Sequence, residues 1–323
     1  MTDPLITVKN VSKKFGFRKG LRTTEFYALK DIDLEIPRSS IIGLVGESGS
    51  GKTTLGKITL ALLKPTRGEV LYEGKDIFEL TKKKEYRRLF QYIPQDPYAS
   101  LNPFKTVKQL LIEPLLYHKL ASDKREAMEI VYELMTNIGL TPPERYMNFY
   151  SPQASGGERQ RISIARALIV KPTYVVADEP TTMLDASLKS GIMTTLREFV
   201  TKANISPVFI THELSLMQFF GPNSTVTVMY LGKIMEQGIL KDLLNEPLHP
   251  YTKALIRAMP VADPKYRSER GILLKEARPP TPVSKPPGCP LSDRCPFAFD
   301  LCSKEEPALK NISATRKVAC YLY

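Results

Sequence analysis

The residues best suited to chemistry are Gly46-Glu47-Ser48-Gly49-Ser50-Gly51-Lys52-Thr53, with Thr54 next. Their spacing is GxxxxGK[ST]. The apolar run Ile41 to Val45 before them and the helical pattern from Lys52 onward supply the strand, loop and helix that this motif needs. Glycines there let backbone N–H groups wrap a phosphate at a helix N-terminus, where unpaired donors and the helix dipole favour an anion. Lys52 would reach the β and γ phosphates of a nucleotide, and Thr53 would offer its hydroxyl to Mg²⁺. A second magnesium anchor follows from Tyr174-Val175-Val176-Ala177-Asp178-Glu179, a buried-type strand pattern ending in two acids. Asp178 would hold the ion, and Glu179 would orient and deprotonate an attacking water, which favours hydrolysis over phosphoryl transfer to another substrate.

These groups need a scaffold that brings strand ends together. Short β-rich stretches (Ile41 to Val45, Tyr174 to Ala177, Val208 to Thr211) alternate with helical patterns at Lys52 to Leu63, Gly157 to Ile169 and Ser187 to Val200. That alternation predicts an α/β fold with a parallel sheet and crossover helices. Residues 106–147 read as mostly helical. Seven prolines between Pro279 and Pro296 exclude a helix or central strand there. The chain therefore divides into a domain over residues 1–240, a connecting segment at 241–280 and a small module at 281–323. All four cysteines of the 323 residues, Cys289, Cys295, Cys302 and Cys320, fall in that last module.

Between the two phosphate elements lies Ser155-Gly156-Gly157-Glu158-Arg159-Gln160-Arg161, a turn entering a helix and a further anion site. With it the chain resembles the ATP-binding subunits of ABC transporters, whose signature loop is LSGGQ. Gly157 precedes Asp178 by 21 positions, as in that family, while Ala154 replaces the usual Leu and Glu158 the usual Gln. The resemblance implies a RecA-like core with an antiparallel β subdomain and a helical subdomain at about 96–160. It implies that Ser155, Gly156 and Gly157, with Asp185 of a D-loop, act on ATP held by a second subunit. It also makes Gln95 a Q-loop glutamine contacting Mg²⁺ or water, and His212 a switch histidine. Phe15 would stack on adenine.

Three stretches resemble the oligopeptide/dipeptide importer branch: Asp96-Pro97-Tyr98-Ala99-Ser100-Leu101-Asn102-Pro103, His249-Pro250-Tyr251-Thr252-Lys253-Ala254-Leu255, and the cysteine tail. The Phe17-Arg18-Lys19-Gly20-Leu21 insertion looks like the F-type subunit. The cysteines are separated by five, six and seventeen residues, and on chemistry alone they suit a zinc ion or an iron–sulfur cluster, with disulfides disfavoured in a reducing cytosol. The resemblance implies a [4Fe–4S] cluster, with zinc as the alternative. It further implies a heterodimer with a D-type ATPase subunit, two transmembrane permease subunits and an extracytoplasmic solute-binding protein, with import of peptides or related solutes.

Composition sets the outer bounds. A hydrophobic fraction of 42% and a charged fraction of 25% exclude a disordered or collagen-like chain. No apolar run approaches the roughly 18 residues of a membrane span, and the start, Met1-Thr2-Asp3-Pro4, lacks a secretory signal. A peripheral protein on the cytoplasmic face of a membrane is expected. The net charge of +12 keeps open a rival reading, a soluble ABC ATPase acting on nucleic acid or ribosomes. The spread of Lys and Arg along the chain argues against a nucleic-acid partner.

Overall fold

A parallel strand buried on both faces must be apolar throughout, and the strand that leads into the phosphate loop obeys that rule. In the computed structural model, which describes residues 3–19, 22–182, 184–259, 274–276, 281 and 285–323, β3 (Ile42–Val45) is buried at every position. It sits between β8 (Ser206–Thr211) and β9 (Thr225–Tyr230), parallel to both. Beyond β8 the sheet continues in parallel with β7 (Tyr174–Asp178) and β6 (Phe90–Ile93). β7 and β8 are likewise buried throughout. On the other side, β10 (Lys233–Ile239) pairs antiparallel with β9, and β12 (Arg316–Val318) and β11 (Lys310–Ser313) follow, closing an eight-stranded mixed sheet. Ile, Leu, Val and Phe side chains carry this core, each contributing about 1.5–3 kcal/mol when fully buried.

A second, antiparallel sheet has the order β2-β1-β4-β5, with β1 at Ile6–Lys19, β2 at Arg22–Ile36, β4 at Arg67–Tyr72 and β5 at Lys75–Asp76. The β1–β2 ladder runs to Lys19 opposite Arg22; Gly20 and Leu21 of the expected insertion lie outside the described residues. Helices Val107–Tyr117 and Lys124–Asn137 pack with helix Gly156–Leu168 around their own apolar cluster, including Leu111, Val131 and Ile162. The helix after the phosphate loop spans Lys52–Thr59, shorter than its sequence pattern. Ala61 turns with φ of 55°, and Pro65 follows closely.

The tail joins the main sheet. Glu236 of β10, fully buried, accepts hydrogen bonds from Leu248 N (3.0 Å), His249 N (2.9 Å) and Arg316 Nη2 (2.9 Å). One carboxylate thus ties the β12 strand and the start of helix Pro250–Arg257 to the sheet. Cys289, Leu291 and Cys295 belong to the same apolar cluster as Val226 and Tyr251. Pro279, Pro280 and Pro282 of the proline run, with much of the connecting segment, lie outside the described residues.

This arrangement overturns one expectation. The four cysteines face one small cavity, but among the described residues no group of three or more His, Cys, Asp or Glu side chains is arranged to hold a metal ion. The [4Fe–4S] cluster and its zinc alternative are therefore not supported. Burial explains the difference: it pushes the Cys289 thiol up to about 12 and raises those of Cys295 and Cys320. Protonated thiols behave as small apolar side chains rather than ligands. Spacing shows that cysteines cluster, and does not show whether they reach the interior as thiols.

Two outcomes follow from the tail. Iodoacetamide at pH 7.5 should alkylate Cys289 in the folded chain at least about tenfold more slowly than in the denatured chain, because only thiolate reacts. Mass spectrometry of timed samples checks this, and equal rates would contradict it. Burial, with the charge of Lys253 adding to it, pushes the His249 pKa down to about 3 from 6.5, and its Nδ1 accepts from Tyr251 N at 3.0 Å. The unfolded chain binds a proton in that window and the folded chain does not. Stability from this group is therefore complete above pH ~6.5 and falls as pH drops, with a slope approaching about 1.4 kcal/mol per pH unit. His249→Asn, which keeps a capping acceptor, should lose less stability than the wild type in melts between pH 7 and 5. Parallel slopes would refute the assignment.

Candidate nucleotide site

The loop after β3 folds on itself before a helix begins. Gly51 caps helix Lys52–Thr59 with φ of 98°, and a Cβ there would sit 2.6 Å from Ala28 O and 2.8 Å from Leu29 Cδ2. Only glycine fits that conformation and that approach. Lys52 Nζ, almost fully buried, donates to Gly46 O (2.7 Å), Glu47 O (2.8 Å) and Ser50 Oγ (3.2 Å). Burial lowers its pKa, while the charges of Glu179, Asp178 and Glu47 oppose that shift. The ammonium is thus fixed by two backbone carbonyls and a hydroxyl at the start of a helix, next to the N–H groups that favour phosphate.

The acids come from the end of β7. Asp178 is buried, with Oδ1 accepting from Thr53 Oγ1 at 3.1 Å and Oδ2 from Tyr92 OH at 2.7 Å. Burial first, then the bond to Asp178, raises the Tyr92 pKa, so the phenol stays a donor. Glu179 follows in the left-handed region, φ 43°, a conformation costing a non-glycine residue about 1–2 kcal/mol. Its N–H donates to Ile210 O at 2.9 Å, which holds the turn. The carboxylate accepts from Gln95 Nε2 (3.1 Å) and Thr182 Oγ1 (2.8 Å), and His212 Nδ1 lies 3.2 Å away. His212 Nε2 faces Glu213 Oε1 at 3.8 Å, and Lys189 pairs with that carboxylate at 2.6 Å. Three separate strand ends therefore deliver Gln95, Glu179 and His212 to one spot.

A cavity of about 650 Å³ opens here, walled by Glu47, Ser48, Gly49, Gly51, Lys52, Thr53 and Thr54 of the loop, by Gln95, Glu179 and His212, and by Phe15. That volume suits a nucleotide-sized ligand. Phe15 is 37% exposed, too open for a core side chain. Gly46 and Ser50 belong to the loop but not to the cavity wall. Ser155, Gly156, Gly157 and Asp185 do not line it either. Ser155 instead caps helix Gly156–Leu168 in a capping box with Glu158, and Asp185 caps Ala186–Lys202 through Leu188 N.

Phe26 and Ala28 also line the cavity, and sequence reasoning missed them, as it missed Tyr92 and Thr182 around the acids. For Phe26 a signal existed: it stands opposite Phe15 in the β1–β2 ladder, with ring centroids 6.2 Å apart. Tyr92 had one too, being two residues before Pro94-Gln95 on the strand beside Asp178. The short residues Ala28 and Thr182 carried none.

Set beside known proteins, residues 29–182 match the family described as "ABC transporter", and residues 235–302 match "Oligopeptide/dipeptide transporter, C-terminal region". The chain is 39% identical over 322 residues to the putative oligopeptide transport ATP-binding protein YkfD of Bacillus subtilis, covering 99% of this chain and 96% of that one. It is 36% identical to the oligopeptide transport ATP-binding protein AppF of the same organism, covering 99% and 98%. Among solved structures, a dimeric post-hydrolysis state of the ATP-binding cassette MJ0796 bound to ADP and Pi matches with a TM-score of 0.63 and 30% identity, over 73% of this chain and 98% of that chain. Relatives of full length named for peptide transport leave the nucleic-acid or ribosome reading without support. Nothing in these likenesses supports the heterodimer with a D-type chain. No described helix is long and apolar enough to cross a membrane. The chain belongs to the ABC transporter family, as an ATP-binding subunit of its oligopeptide/dipeptide branch.

Proposed function

We propose that this chain hydrolyses ATP in the cavity beside Lys52 and couples the cycle to import of oligopeptides or dipeptides, or of related solutes such as oligosaccharides. It would do so through permease subunits that span the membrane while the chain itself stays on the cytoplasmic face. The observation that carries the reading is the Glu179 carboxylate, gripped by Gln95, Thr182 and His212 on the wall of the cavity that Lys52 lines. A carboxylate so held can accept a proton from water aimed at a γ-phosphate, and Gln95 and His212 fix its direction. Lys52 and the loop N–H groups hold the phosphates, and Phe15 with Phe26 offers aromatic surface to the adenine. Thr53 and Asp178 already bond to each other and present the oxygen donors Mg²⁺ prefers; bound there, the ion would neutralise phosphate charge. The peptide assignment rests on the match of the C-terminal region and on the relatives' names.

Because the Ser155 loop and Asp185 stand away from this chain's own cavity, their phosphate-facing helix ends serve nucleotide held by a second ATP-binding chain. The dimeric arrangement of the cassette MJ0796 supports that reading.

Glu179→Gln should keep ATP binding and lower turnover at least about 100-fold, since a general base contributes roughly 10² to 10⁴, whereas Lys52→Ala should lose binding itself. Binding and turnover measured in the assembled complex separate the two, and near-normal hydrolysis by Glu179→Gln would remove it from the mechanism. Turnover per chain should also rise with protein concentration as chains pair. Full activity in a dilute sample that runs as a monomer on gel filtration would rule out the shared site.

A further inference from the structure

Glu47, the second residue of the phosphate loop, is held at three points. Its N–H donates to Tyr251 Oη at 2.8 Å. Its carbonyl accepts from Lys52 Nζ at 2.8 Å and from Ser50 N at 3.2 Å. Its carboxylate takes both ends of the Arg294 guanidinium, Nη1 at 2.8 Å and Nη2 at 3.1 Å. Two of the three holds come from the C-terminal part of the chain, 204 and 247 residues away in sequence.

Arg294 is built to hold this position. It is 2% exposed, and its guanidinium makes charge-assisted bonds. Nε donates to Glu276 O at 3.0 Å, and Nη1 donates also to Tyr230 Oη at 3.0 Å. The Tyr230 and Tyr251 rings pack together, centroids 4.7 Å apart. The Arg294 main chain is pinned as well, its N–H to Leu291 O at 2.9 Å and its carbonyl to Lys275 N at 2.8 Å, inside the turn between Cys289 and Cys295. A guanidinium fork matches a carboxylate in plane and spacing, so this pair fixes direction as well as distance. Removing the Glu47 charge would leave the Arg294 guanidinium buried and uncompensated, whereas Glu47 itself is only partly buried.

We propose that Arg294 is a positioning residue for the phosphate loop: the cysteine-bearing turn holds Glu47, Glu47 holds the carbonyl that seats Lys52, and ATP affinity is set in part from the C-terminal region. The inference rests on ATP occupying the cavity beside Lys52. It gives the Glu47, Tyr251 and Arg294 positions a joint purpose that none has alone.

The test uses the full chain, a fluorescent ATP analogue with Mg²⁺, and steady-state hydrolysis in the assembled complex. Arg294→Gln should weaken analogue binding and raise the KM for ATP about tenfold, with kcat within about threefold and a circular dichroism spectrum like the wild type. Arg294→Lys, which keeps the charge and loses the fork, should fall between the two. Glu47→Gln should weaken binding similarly, and the Glu47→Gln, Arg294→Gln double variant should be no worse than the weaker single, because both act through one link. Should Arg294→Gln not fold, Arg294→Lys and Glu47→Gln carry the same comparison. Wild-type affinity in Arg294→Lys and Glu47→Gln, a loss confined to kcat, or effects that multiply in the double variant would each overturn the inference. A wild-type chain that fails to bind the analogue would overturn the ATP reading and this one with it, whereas normal binding by wild type and Arg294 variants alike overturns this one alone.

Discussion

Parallel pairing of β3, β7 and β8 is the constraint on which the site depends. Parallel neighbours end on the same edge of a sheet, so Gly46, Asp178 with Glu179, and His212 emerge together although 166 positions of sequence separate the first from the last. The strands are buried throughout and mostly apolar. Hydrophobic burial therefore sets the position of the polar chemistry to within hydrogen-bond distance. Where a strand ends, a backbone device takes over: positive φ at Gly51 turns the loop into a helix, and positive φ at Glu179 aims its carboxylate across the cavity.

The same division explains what could be read from sequence. The three strands and the helices expected at 52–63, 157–169 and 187–200 were legible because continuous apolar runs alternate with 3.6-residue patterns, and their observed bounds differ by only a few residues. The nucleotide loop was legible because its chemistry needs contiguous residues. The long β1–β2 ladder was harder, since it mixes Lys, Thr and Glu with apolar residues and contains register shifts. Contacts made across the fold left almost no local trace. Nothing near Arg294 says that its partner is Glu47, and nothing near Glu236 says that it is fully buried against Arg316.

The cysteines show the opposite failure, a strong local pattern whose meaning is decided by surroundings. Grouped cysteines with adjacent prolines suit a metal, but here Cys289 and Cys295 sit among Leu291, Val226 and Tyr251 in the sheet's own apolar cluster. A thiol raised by burial to about 12 is a core side chain at neutral pH. The motif His249-Pro250-Tyr251 changes meaning in the same way. His249 is a neutral helix cap, and Tyr251 reaches the phosphate loop through its hydroxyl. Stretches that looked like labels of a subfamily are the contacts through which the tail grips the nucleotide domain.

The Ser155 loop is prepared by its own chain in a way that bears on how it would meet a phosphate. Arg159, buried, donates to Ser151 O at 2.7 Å and Ala154 O at 2.7 Å, holding the backbone just before the turn. Glu158, where the resemblance would have Gln, closes the capping box by accepting from Ser155 N at 2.8 Å. That bond holds its carboxyl below the ordinary range, so it is charged at neutral pH. An anion in the first turn satisfies the helix dipole and one of the free N–H groups. It therefore makes the turn rigid while opposing the approach of a phosphate to the same helix end. A Gln there would close the same box without the opposing charge. The departure from LSGGQ thus leaves the shape of the loop intact and adds a negative charge at its helix end.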